Sequence, residues 1–140
     1  MRRNMRVLAA SLVFVCVWST AVLAQAQESF PIQPKHYGSI PYLSGGVGLD
    51  EREDLSRMTR DYNLKLSFAA TGGDYLGDVA VEVQDAGGRL VLEAVSEGPW
   101  FFTKLPPGRY TVVVRAAGKS QQKTVQLSGR GQTVLNLFWK

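Results

Sequence analysis

The 140-residue chain carries 16 lysines and arginines against 12 aspartates and glutamates, with one histidine and one cysteine. Such a chain can build neither an intrachain disulfide nor a site of several imidazole and thiolate ligands, so packing and ladder hydrogen bonds must hold the fold, and no cofactor is expected. Three of the basic residues, Arg2, Arg3 and Arg6, stand at the N-terminus; the remaining 13 against 12 are nearly balanced, which excludes the strongly basic character of a nucleic-acid binder.

Those arginines precede an apolar run from Val7 to Leu23 that ends in Ala24-Gln25-Ala26. A basic front, a short apolar centre and small residues at its end read as a secretory signal peptide, residues 1–26, cut after Ala24 or Ala26. Spanning a bilayer takes about 20 apolar residues, so the mature chain is expected to carry no transmembrane segment and to be periplasmic or secreted. Cys16 leaves with the leader. Residues 27–48 hold Pro31, Pro34 and Pro41 without a steady period and are expected to form an extended arm. Its Phe30, Tyr37, Ile40, Tyr42 and Leu43 should lie on the domain's own core, because a free tail with so much apolar surface would associate. His36 sits in this arm and, with no second histidine, is expected to be a surface residue.

Gly45-Gly46-Val47-Gly48 lead into residues 49–62, which read as a helix. Asp50 is the expected cap, Glu53 three residues later completes a capping box, and Leu55, Met58 and Tyr62 form a narrow apolar stripe. No Lys-Ser or Lys-Thr pair follows the glycines, so they serve a turn rather than a phosphate.

From Asn63 the period switches to two. Leu64 to Ala70 is the first strand, and Thr71 to Gly77 a loop. Val79 to Gln84 follows, with Val79, Val81 and Val83 inward; Asp85-Ala86-Gly87-Gly88 reverses the chain into Arg89 to Val95. Gly98-Pro99 breaks the run before Trp100 to Leu105, which the double proline stops. Tyr110 to Ala116 is a long strand with Tyr110, Val112 and Val114 on one face. Gly118-Lys119-Ser120 turns into Gln121 to Leu127, a polar strand suited to a sheet edge. Ser128-Gly129-Arg130-Gly131 is read as a further hairpin turn before Gln132 to Trp139. The expected fold is mostly β: a seven-stranded antiparallel sandwich, residues 63–140, with one N-terminal helix.

A Val-x-Val-x-Val strand, Asp85 with Gly87-Gly88, Gly98 before an aromatic strand, and then Leu105-Pro106-Pro107-Gly108-Arg109-Tyr110 together resemble the carboxypeptidase regulatory-like domain. The resemblance covers roughly residues 63 to 139. It implies an Ig-like, transthyretin-like sandwich in a stand-alone bacterial exported form, and a role in folding, interaction or sugar binding rather than peptidase activity. Enzymes that resemble this sandwich depend on two or more histidines, and this chain has one.

No catalytic group is evident. A serine triad would have only His36 as its base, and of the carboxylates Asp74, Asp78, Glu93 and Glu97 alone are candidates to converge. The expected function is therefore a non-catalytic exported module that binds an envelope protein or glycan and no nucleic acid. If the ligand is a carbohydrate, Tyr75, Trp100 and Phe101 are the candidate stacking platforms. If it is anionic, Lys119, Lys123 and Arg130 are the candidate contacts, since residues from 98 onward hold seven basic side chains and no acidic one. The alternative use of those cations is neutralisation across strands by the six acidic residues of segment 63–97.

Overall fold

The structure, a computed structural model, describes residues 32–140; the expected leader and the first part of the arm, Phe30 included, lie outside the described residues. The described chain runs β1 (Lys35–Tyr37), β2 (Ile40–Gly45), α1 (Leu49–Met58), β3 (Leu64–Ala70), β4 (Val79–Asp85), β5 (Leu90–Ser96), β6 (Trp100–Thr103), β7 (Gly108–Ala116), β8 (Lys119–Leu127) and β9 (Thr133–Trp139). It is mostly β, with one helix and two sheets of order β1-β2-β6-β3-β9 and β5-β4-β7-β8.

The described residues form nine strands where seven were expected. The two additional strands come from the supposed arm: Gly38, at φ +58°, lets Tyr37 pair with Ile40, and the resulting hairpin docks through β2 onto β6 with Leu43 opposite Phe102. Ile40, Tyr42 and Leu43 do pack on the domain, as expected, but as part of a sheet, whereas Tyr37 on the edge strand β1 is exposed.

A second correction concerns direction. β9 pairs with β3 in parallel, from Leu64 opposite Thr133 to Ala70 opposite Trp139, so the fold is not purely antiparallel. The turn Ser128 to Gly131 is not a hairpin; it carries the chain from β8 in one sheet to β9 in the other. β8 is an edge strand, as its polar composition indicated.

Each strand's period-two pattern sends one row of side chains between the sheets. Leu64, Leu66 and Phe68 of β3 meet Val79, Val81 and Val83 of β4, Val112 and Val114 of β7, Phe101 of β6, and Leu137 and Trp139 of β9, all buried. A smaller cluster of Leu43, Leu55, Tyr62 and Phe102 lies on the opposite face of the five-stranded sheet, where α1 covers it. This second layer explains why Phe101 and Phe102 are both buried although they point to opposite faces.

The helix departs from its expected ends. It stops at Met58, which is exposed, and Tyr62 reaches the apolar cluster from the following turn. Its cap is Gly48, and no side chain caps from that position; Asp50 is already within the first turn. Glu51 reaches back past the cap instead, accepting from the N–H of Val47, the residue before it, at 3.0 Å. At the other end the Thr59 N–H and Oγ1–H both donate to the Leu55 carbonyl, at 3.0 and 2.7 Å.

The β7–β8 hairpin turns on Ala117 at φ +50° and Gly118 at φ +73°. Alanine in the left-handed region costs roughly 1–2 kcal/mol against glycine. Ala117→Asn, which suits this turn, is therefore expected to stabilise the protein by up to about 1 kcal/mol, read as a higher urea midpoint at unchanged m-value. A lowered midpoint would show that the turn has been assigned the wrong backbone.

Candidate functional site

The residues singled out in the sequence scatter. Phe101 is fully buried and stacks on Tyr42 with ring centroids 5.6 Å apart, so it offers no face to a ligand: its strand position points it between the sheets. Lys119 and Lys123 lie on β8, and Arg130 lies in the crossover beyond its end. At ~3.3 Å per residue, Lys119 and Arg130 stand at opposite ends of the strand, so the three cations form no single patch. The Lys119 ammonium donates to the Lys140 carbonyl at 2.7 Å. Of the other cations of the C-terminal half, Arg115 pairs across strands with Glu82 at 2.6 Å, as the neutralisation reading expects, while Lys104 pairs at 3.0 Å with Asp61, which lies outside segment 63–97. Of the four candidate carboxylates, Glu97 is held by Lys35 at 2.5 Å. Among the described residues no three of His, Cys, Asp and Glu gather into a metal-binding group, and no described helix is long and apolar enough to cross a membrane.

Tyr75 and Trp100, by contrast, are brought to the same place. Tyr75 stands in the β3–β4 loop, tied back by a bridge to Ala69, with 56% of its surface exposed. Trp100 opens β6 and is half-buried. Between them lies the guanidinium of Arg52 from α1, 4.6 Å from the Tyr75 ring centre and 5.3 Å from that of Trp100. The Lys65 ammonium lies over Trp100 at 3.6 Å, with Phe102 at 5.4 Å. The result is two cations laid on adjoining aromatic rings, the arrangement in which ring quadrupoles hold positive charge.

Register builds this site. Lys65 belongs to the β3 row that points away from the main core and stands opposite Phe102, while Ser67 stands opposite Trp100. The β2–α1 connection then crosses the indole at Gly46, whose φ is +92° and where an added Cβ would come within 3.1 Å of the ring. Glycine alone lets the backbone pass so close. The Gly46 carbonyl accepts from Arg52 Nε at 2.7 Å and fixes the guanidinium above the sheet.

Neither Arg52 nor Lys65 has a carboxylate partner among the described residues, whereas Lys35, Arg57, Lys104 and Arg115 each have one. Burial, and then the charge of Arg52, holds the Lys65 ammonium below the ordinary lysine range. Two unneutralised cations side by side repel each other, and an anion placed between them would relieve both. Arg52 and Lys65 were not visible as a pair in the sequence, where one sits in a charged helix and the other in an alternating strand.

No protein-family model matches the chain, and no curated protein is matched by it.

Proposed function

We propose that the protein is a non-catalytic exported binding module whose ligand is an anionic component of the cell envelope, held on the helix-bearing face of the five-stranded sheet. The observation that carries this reading is the convergence of Arg52 and Lys65 on Trp100 without a carboxylate to neutralise them. Export is supported by the basic, apolar and small-residue sections of residues 1–26. The carboxypeptidase regulatory-like, transthyretin-like assignment belongs to the same reading. It is supported by the Pro106-Pro107-Gly108 turn, in which the Tyr110 hydroxyl donates back to the Pro106 carbonyl at 2.6 Å.

The alternative is an uncharged carbohydrate stacked on the loop aromatics, favoured by the exposure of Tyr75. Titration followed by tryptophan fluorescence separates the two, with polygalacturonate and inorganic polyphosphate as anionic probes and a neutral β-glucan beside them. The anionic probes are expected to bind, more weakly as salt rises, and Arg52→Ala with Lys65→Met is expected to weaken them at least tenfold. Methionine keeps the apolar packing of the lysine stem. The Lys119, Lys123, Arg130 triple alanine variant should bind as the parent does. Unchanged affinity in the Arg52 and Lys65 variant would refute the site, and tighter binding of the neutral glucan would favour the alternative.

A further inference from the structure

The helix-bearing face continues beyond the Trp100 cluster. A cleft of about 250 Å³ between α1 and the sheet is lined by Ser56, Arg60, Lys65, Phe102 and Gln132. A larger cleft of about 630 Å³ lies at the end of the two sheets, between Ile40, Arg60, Pro106, Pro107 and the Lys104–Asp61 ion pair. Arg60 lines both, so the two clefts meet at its side chain. Arg52, Ser56 and Arg60 follow one another at helical spacing along the same side of α1 and into the turn after it, with the two arginines roughly 12 Å apart. Arg60, like Arg52 and Lys65, has no carboxylate partner among the described residues.

We infer that this line of depressions is one groove for a linear acidic polysaccharide, a chain of uronate-type sugars, an inference that rests on the anionic-ligand reading above. A sugar carrying a carboxylate suits both features of the groove. Its C–H face meets the exposed Tyr75 ring, while its carboxylate takes a charge-assisted hydrogen bond from a guanidinium or ammonium. Arg52, Lys65 and Arg60 then repeat the cationic contact along the chain, and Pro106 and Pro107 give the far cleft an apolar wall. Single-stranded nucleic acid fits less well, because it needs a row of aromatic faces free for stacking, and Trp100 is covered by Lys65 and Arg52. An acidic peptide that binds as an added strand needs a sheet edge, and the part of the groove that holds Lys65 and Phe102 lies under a helix on the interior strands β3 and β6.

Chain length is the test. With oligogalacturonates of two to six sugars, Kd is expected to fall at least tenfold from the shortest to the longest. Arg60→Ala, at an exposed residue, should abolish that gain and leave the disaccharide affinity unchanged. Disaccharide binding that depends on Arg52 and Lys65 but does not improve with length would overturn the groove and leave the proposed function standing. Tighter binding of polyglutamate or of oligo(dT) of equal charge than of the hexasaccharide would overturn the choice of a polysaccharide. Failure of every anionic probe to bind would overturn both readings.

Discussion

Gly98→Ala is expected to destabilise the protein by about 3 kcal/mol or more, the largest loss from a single added methyl group in this chain. A Cβ at position 98 would be 2.6 Å from the carbonyl carbon of Gly45 and 2.8 Å from its Cα, and closer still to the carbonyl oxygen. These are backbone atoms at the end of β2, which pairs with β6 through Gly45 opposite Trp100. No rotamer change relieves such a clash. Either the β2–β6 ladder opens, or the Ser96 to Pro99 connection moves and breaks the bond from Ser96 Oγ to the Gly98 carbonyl at 2.7 Å. Against a total stability of roughly 5–15 kcal/mol for a domain of this size, that is a large fraction. Gly72→Ala is the control: its nearest neighbour is a side-chain oxygen at 3.8 Å, and it should shift stability by less than about 0.5 kcal/mol. Urea unfolding followed by tryptophan fluorescence compares the two, and equal midpoints would mean that β2 does not approach the β5–β6 connection as described.

The same contact shows what local sequence pattern does and does not carry. The β4–β5 hairpin was legible because its chemistry is contained within it: Val79, Val81 and Val83 alternate inward, and Asp85 Oδ1 accepts from the Gly87 and Arg89 N–H groups at 3.0 and 2.9 Å to close the turn. β1 and β2 were not legible, because Pro34 and Pro41 interrupt the period and their pairing is completed by β6, far away in the chain. Gly129 and Gly131 announced a reversal before β9, but the same residues serve a hairpin and a crossover. Which sheet the next strand joins is decided by where its apolar face finds cover. Tyr75 and Trp100 could be proposed as site residues because large aromatics beside loops are conspicuous. Phe101 was proposed with them and is core, since one residue along a strand reverses the face. Arg52 and Lys65 meet only through the register of β3 with β6 and the seating of α1, and neither is encoded in a short window of sequence.

Replacing Asn63 is expected to be nearly as damaging as the change at Gly98, for an electrostatic reason rather than a steric one. Asn63 precedes β3 and is buried, and its side-chain amide extends the β3–β6 ladder past the end of the strands. Its Oδ1 accepts from the Leu105 N–H at 2.9 Å, and its Nδ2 donates to the Leu105 carbonyl at 2.6 Å. The pairing of β6 ends at Thr103, so those backbone groups lie beyond the ladder. Asn63→Leu keeps the volume and strands both Leu105 groups in a buried place, at about 1–3 kcal/mol for each. A loss of roughly 2–6 kcal/mol follows, with unfolding still cooperative. Asn63→Asp distinguishes a hydrogen-bond role from a packing role. The ionised carboxylate still accepts from the Leu105 N–H but faces the Leu105 carbonyl with no proton to offer, so burial and that oxygen raise its pKa in the folded state. A raised folded pKa means that the folded protein holds the proton more tightly than the unfolded chain does. The stability contributed by the protonated form is therefore fully present below the unfolded aspartate value of about 3.9 and is lost as pH rises through the folded value. The difference in unfolding free energy between parent and Asn63→Asp should accordingly shrink as pH is lowered, while that between parent and Asn63→Leu stays constant. Parallel pH profiles for the two variants would show that Asn63 fills space and does not complete a ladder.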